Sequence, residues 1–322
     1  MNGNINYICS TVFCELDTLY SLIFKYRKEL PHIFNDDFSI CAVRGTFNNL
    51  PWEATDFYHG RNWLFDTYAS ETIQLSIGKT PSMENIKKTL LWYQKNNIQV
   101  QLELSNILLE ENDMFDRYGN LVLRTFQEMG PSNVVVVSSP VLEDYIADNY
   151  PEIPIIKDIS SDQELQQFFK YHKMYAGASL NKRYNVDINL LQAAEPSIVD
   201  KIDVVTNAKY DLLRDRGNIQ RKINSMRSLF IDEEAILQDF SEQQTDESGP
   251  IFGIESTNKK MSLVNAAENT YKSAGINKFR IESTGVDAHV LKETIMHLVK
   301  PQYQADLYAE ILSEHYRKPS RY

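Results

Sequence analysis

Cysteine is scarce in this chain of 322 residues: there are 3, at Cys9, Cys14 and Cys41. A small, odd number in a chain of this size excludes a disulfide framework and fits a reducing compartment. Positive charge is in deficit, since 33 basic against 44 acidic residues give 33 − 44 = −11. That balance repels polyanions, so nucleic-acid binding would need a local basic patch. The best candidate, Arg214, Arg216, Arg221, Lys222 and Arg227, is diluted by Asp211 and Asp215 and reads as a solvated helix face. No stretch approaches about 18 consecutive apolar residues, and the N-terminus lacks a basic segment followed by an apolar one. No membrane span or leader is expected, and a cytoplasmic protein is the default. Several motifs are missing as well. No G-x-G-x-x-G follows the first strand, no H-E-x-x-H occurs, and no G-x-S-x-G surrounds Ser138 or Ser139. Gly78-Lys79-Thr80 resembles the end of a phosphate loop, but the earlier glycine it requires is Ile73.

What is present is a large apolar fraction, 43%, with 18 Tyr and 15 Phe. That is enough for a sizeable core. Short apolar runs alternate with helical patterns along the chain. Strands are predicted at residues 5–9, 38–44, 98–104, 133–139, 153–157, 173–178, 201–206 and 278–282, with helices between most of them. A helix over about 81–95 has Thr80 as N-cap and buries Met83, Ile86, Leu90 and Tyr93. Eight alternating units favour a closed (β/α)8 barrel of the TIM type over an open sheet. The whole of 1–322 is read as one domain, with an aromatic insertion at about 47–79 and an acidic loop at about 241–250.

The period of two along each strand separates an outer face from an inner one. In the third strand Ile98, Val100, Leu102 and Leu104 should meet the helices, while Gln101 and Glu103 point into the barrel. In the eighth, Phe279 and Ile281 face out, and Arg280 and Glu282 face in. In the seventh, Asp203, Val205 and Asn207 face in. Charges inside a barrel cost several kcal/mol unless paired. They therefore mark either a polar pocket at the C-terminal mouth or a self-satisfied buried network. In the first case Glu103 and Glu282 form a general acid/base pair and Arg280 holds a substrate anion. Arg44 is a second anion clamp, with Gly45 letting backbone approach; an ordinary strand-end turn is the alternative reading of Arg44-Gly45-Thr46. Ser138 and Ser139 are read as helix-capping residues ahead of Pro140. Cys9, Cys14 and Cys41, with His59 as a fourth ligand, would make an irregular metal site; buried inert thiols are the preferred reading, and no metal is assigned.

Five ordered segments carry a family resemblance. They are Arg44-Gly-Thr-Phe47 with Gly60-Arg61; Glu103-Leu-Ser-Asn106 followed by Asp116 and Asn120; Val136 to Ile146 with Tyr150-Pro151; Val205-Thr-Asn207; and Phe279-Arg-Ile-Glu282 with Val299-Lys-Pro301. Together the chain resembles the collagenase-like peptidase family U thirty-two, whose fold is a TIM-type barrel. The resemblance implies that Asn106 and Asn207 orient a substrate oxygen beside Glu103 and Glu282. Relatives carry a C-x-x-x-C pair where this chain has Tyr210 and Arg214. No iron–sulfur cluster or other cofactor is therefore expected, and peptidase activity is not supported.

Two functions follow. The first is a barrel enzyme acting on a small polar or anionic molecule. The second is a cluster-less, inactive homologue that binds or scaffolds a protein partner or another copy of itself, with Trp52 to Tyr68 as the interaction surface.

Overall fold

The computed structural model describes residues 5–13, 17–36, 38–47, 50–54, 81–130, 132–181, 186–206, 225–226, 229, 270–281 and 294–317. Eight strands close into one barrel in sequence order. They are β1 (Ile5–Val12), β2 (Phe38–Thr46), β3 (Gln99–Leu104), β4 (Val134–Val137), β5 (Ile155–Ile159), β6 (Gly177–Leu180), β7 (Ile202–Val205) and β8 (Lys278–Ile281). Every pairing is parallel, and β1 pairs with both β2 and β8. The eight-stranded α/β barrel read from the sequence is the fold. Among the described residues the helices with defined bounds are α1 (Asp17–Glu29), α2 (Met83–Lys95), α3 (Arg117–Glu128), α4 (Pro140–Asn149), α5 (Asp162–Tyr171), α6 (Ile188–Ala193), α7 (Pro196–Val199) and α8 (Gln304–Arg317). None of them is long and apolar enough to cross a membrane.

The period-two pattern sorts the apolar side chains into two bodies. Val100, Leu102, Leu104, Ile202, Val204, Phe279 and Ile281 join the helix residues Ile86, Leu90, Val122, Phe126 and Phe168 in one continuous core outside the barrel. Val134, Val136 and Ile156 form a separate small cluster within it. The parity expected for β3, β7 and β8 is the parity found. β5 continues two residues past the predicted end, and β6 begins at Gly177, because Lys173 and Met174 belong to a 3-10 turn, His172–Met174. β2 runs on through Thr46, so Arg44-Gly45-Thr46 is strand rather than a turn.

The helices start where side chains can accept from orphan backbone donors. Ser82, not Thr80, caps α2 by accepting from Asn85 N at 3.2 Å. Ser139 caps α4, with Pro140 at the first helical position, as the sequence suggests. Asp116 caps α3 by accepting from Gly119 N at 2.5 Å. Gly119 is also where α3 meets Trp52: a β-carbon there would lie 2.7 Å from the indole ring. At the far end of the chain α8 returns to α1, where Glu314 accepts from Lys25 Nζ and Tyr26 Oη at 3.1 Å.

Of the aromatic insertion, residues 47 and 50–54 are described, and they are packed into the protein. Trp52 is fully buried, donates its indole N–H to Asp113 O at 2.9 Å and meets Tyr145 edge-on. Trp52 is therefore core, which corrects its assignment to an exposed interaction surface. Residues 55–79, the acidic loop 241–250 and the basic run 214–227, apart from Ser225 and Met226, lie outside the described residues.

Candidate active site at the barrel mouth

The inner face of the barrel carries polar residues at two heights. The lower set is closed. Arg44 on β2 and Arg280 on β8 are 3% and 4% exposed and converge on Asp203 of β7. Arg44 Nη2 donates to Asp203 Oδ2 at 2.6 Å and Nη1 to Oδ1 at 3.3 Å. Arg280 Nη1 donates to the same Oδ1 and to Ser179 Oγ, and its Nη2 donates to Leu180 O at 3.2 Å. Ser179 on β6 in turn donates to Asp203 Oδ1 at 3.0 Å. Gln101 on β3 accepts from Arg44 Nε and Nη2 at 2.8 and 2.6 Å, and passes its own amide N–H to Gln99 at 2.9 Å. Burial alone would push the Asp203 carboxyl up, but the Arg44 and Arg280 guanidiniums beside it outweigh that and hold it below the usual carboxylate range.

The upper set is one inward position further along the strands. It comprises Thr46 on β2, Glu103 on β3, Ser138 just past β4, Asp158 on β5 and Asn181 just past β6. The ladder continues through Ser138 and Asn181, just past β4 and β6, since Ser138 N donates to Leu104 O at 3.2 Å and Asn181 N to Ile159 O at 2.8 Å. Glu103, Ser138, Asp158 and Asn181 are all partly exposed. Ser138 Oγ donates to Asp158 Oδ2 at 2.8 Å, and Asn181 Nδ2 approaches the same oxygen at 3.4 Å. Toward its C-terminal end the barrel thus carries partly exposed polar side chains, and beneath them it is closed by an ion network. The C-terminal end is where barrel active sites sit.

The loops at this end are tied together by Asn106. Its Nδ2 donates to Pro51 O at 3.0 Å and Ser225 O at 3.2 Å, while its Oδ1 accepts from Leu108 N at 2.9 Å. Ser225 comes from the β7–β8 connection, four strands away around the barrel, and its Oγ accepts from Ile107 N at 3.3 Å. Asn106 is fully buried, so it locks three loops instead of presenting an amide to a substrate. Asn120, from the same matched segment, accepts from Tyr145 and Tyr150 hydroxyls at 2.7 and 2.8 Å and likewise holds structure.

The sequence-predicted residues therefore divide. Arg44 and Arg280 are brought together, but their donors are engaged within the protein. Glu103 is partly exposed, at the inward parity of β3. Glu282 and Asn207 lie outside the described residues, as do Cys14 and His59. Cys9 is buried in the outer core, and Cys41 donates to Tyr7 O at 3.5 Å. Among the described residues no three His, Cys, Asp or Glu side chains group to hold a metal ion. Sequence reasoning missed Thr46, Asp158 and Ser179. The first two share parity with Arg44 and Ile156, and a parity reading of β2 and β5 finds them. Ser179 fell beyond the predicted sixth strand. Compared with protein-family models and with curated proteins, the chain finds no match.

Proposed function

We propose that the protein is a barrel enzyme that acts on a small polar molecule at the C-terminal mouth, with Glu103 as the proton-transferring carboxylate. The observation that carries this reading is the change in exposure along the inner face. Polar side chains are shut in at Arg44, Asp203 and Arg280, and partly exposed further along at Glu103, Ser138, Asp158 and Asn181, with Thr46 buried beside them. A purely structural plug has no need of the open level, whereas a site for general acid/base chemistry does. Glu282, which follows β8 by one position in the sequence, is the second carboxylate of the pair in this reading, and Asn207, which follows β7 by two, is its orienting amide. The buried guanidiniums serve as a rigid cationic floor that orients the mouth from below; an anionic substrate gripped directly by Arg44 or Arg280 would have to displace their protein partners. The resemblance to the peptidase U thirty-two family supports Glu103, which falls in a matched segment, and the Tyr210 and Arg214 replacements support chemistry without an iron–sulfur cluster. A cytoplasmic location rests on the sparse cysteines.

The test is incubation of the protein with a cell metabolite extract, followed by mass spectrometry. A small polar compound should be consumed by the wild type and left intact by Glu103→Gln at unchanged melting temperature. Equal consumption by the variant would remove Glu103 from the chemistry. The second reading, a non-catalytic binding subunit, draws on the pairing of Arg280 with Asp203, Ser179 and Leu180 O inside the barrel; it gains if no compound is consumed and the chain is recovered bound to a partner protein.

A further inference from the structure

The inner face is polar again at its N-terminal end, beneath the ion network. Asn6 on β1, Ser39 on β2, Gln99 on β3 and Lys278 on β8 share the inward parity, since their strand neighbours Tyr7, Phe38, Ile40, Val100 and Phe279 belong to the outer core. The four strands are adjacent in the ring, and Asn6 is in register with both Ser39 and Lys278. All four residues are partly exposed. The next inward positions on β1, β3 and β8 are Ile8, Gln101 and Arg280, at 1%, 4% and 4% exposure. Water therefore reaches the four from the N-terminal end of the barrel and not from the mouth. Cys41, at the register shift of β2, borders them: burial pushes its thiol up and the Lys278 ammonium opposes that, which sets the ammonium near the inner side of β2.

The hydrogen bonds decide which way the two amides face. A guanidinium can only donate, so Gln101 turns its oxygen to Arg44 and keeps its amide nitrogen for Gln99 Oε1, at 2.9 Å. Gln99 in turn has its oxygen taken and its nitrogen left to donate. Ser39 Oγ donates to Asn6 Oδ1 at 2.6 Å, which leaves Asn6 in the same state. Among the described residues neither amide nitrogen, nor the Lys278 ammonium, has an acceptor or an ion-pair partner. The charge has one sign as well. Asp203, in register beside Lys278, is already shared by Arg44 and Arg280, so three cations stand against one carboxylate. The acid beside the next residue back, Asp200, accepts from Asn277 Nδ2 at 2.6 Å. Neutral donors around a surplus cation are the complement of an oxyanion. We infer that the N-terminal end of the barrel binds a small oxyanion such as phosphate, held by the Lys278 ammonium and the amide nitrogens of Asn6 and Gln99. The site is separate from the mouth and independent of the role given to Glu103.

Inorganic phosphate is the probe, titrated into the full chain at pH 7 and constant ionic strength and followed by phosphorus NMR line broadening. Saturable broadening is expected, reversed by sulfate and not by tetramethylammonium chloride. Lys278→Met should weaken phosphate by about tenfold, the size expected for losing a charge-assisted hydrogen bond. Gln99→Glu keeps an oxygen to accept from Gln101 and replaces the donating nitrogen by a charged oxygen. Phosphate binding should be lost in it at unchanged melting temperature, an outcome that a structural role alone would not give, and this variant decides the matter if Lys278→Met does not fold. Glu103→Gln, at the other end of the barrel, should bind phosphate as the wild type does. No saturable broadening in the wild type, wild-type affinity in folded Lys278→Met or in Gln99→Glu, or loss of binding in Glu103→Gln would each overturn the inference. None of these outcomes bears on turnover at the mouth, which the metabolite experiment tests by itself.

Discussion

Arg44 and Asp203 meet inside the barrel at 2.6 Å, both side chains almost wholly buried, from strands on opposite halves of the ring. Arg280 shares the same carboxylate, so one acid balances two guanidiniums. Removing that acid takes away the counter-charge that the two buried guanidiniums share. Asp203→Asn is expected to cost about 3 kcal/mol or more of folding stability, measured by urea unfolding at pH 7. A loss below about 1 kcal/mol would show that the network is solvated or otherwise balanced.

The same carboxylate sets an acid dependence. Its folded value lies below the ordinary unfolded value of about 3.9, so its stabilisation is fully present above that value. It is lost as pH falls through the lower, folded value. The acid limb of stability against pH should therefore be shallower in Asp203→Asn than in the wild type. Parallel limbs would contradict the assignment.

Gly119 lies on α3 with the Trp52 ring where a β-carbon would go. Gly119→Ala must displace a fully buried indole that also holds the loop after β2. A destabilisation of about 1–3 kcal/mol is expected, from overpacking, with a changed Trp fluorescence maximum. An unperturbed spectrum and midpoint would mean that the loop is not seated there.

Cys41 is pushed up to about 11, mainly by burial, with the Lys278 ammonium acting in the opposite direction. At pH 8 its thiolate fraction is roughly two-hundredfold below that of a free cysteine with a value near 8.5. In a Cys14→Ser background, a thiol reagent at pH 8 should react with Cys41 far more slowly than with the same chain in denaturant. Labelling at the rate of an exposed thiol would contradict its burial.

Thr46→Val removes a buried hydroxyl that has no hydrogen-bond partner among the described residues. Such a change is expected to leave stability unchanged or raise it by about 1 kcal/mol, in contrast to the usual cost of altering a buried polar residue. A loss of more than about 1 kcal/mol in thermal unfolding would assign Thr46 a structural hydrogen bond.

Periodicity made the barrel legible. Outer residues such as Val100, Leu102, Phe279 and Ile281 alternate with polar ones, so eight strands and the inward turn of Glu103 and Arg280 follow from sequence alone. The contacts made by the inward residues do not follow. Arg44, Ser179, Asp203 and Arg280 come from β2, β6, β7 and β8, and only closure of the ring places one carboxylate among two guanidiniums. Asn106 illustrates the other limit. Its three partners, Pro51, Ser225 and Leu108, belong to three segments, two of them distant in sequence, and no local pattern distinguishes a loop lock from a substrate amide. Asp158 was hidden for a simpler reason: the fifth strand extends to Ile159, and ending it at Lys157 removes the inner position.

The central claim is that the inner face is open at Glu103 and Asp158 and closed at Asp203. Carbodiimide coupling of glycine ethyl ester to the folded protein, read by peptide mass spectrometry, tests it most directly. The expected result is modification at Glu103 and Asp158, slower than at the exposed Glu84 and Glu128, with Asp203 unmodified until the chain unfolds. Modification of Asp203 in the folded protein, or silence at both Glu103 and Asp158 while Glu84 and Glu128 react, would contradict it.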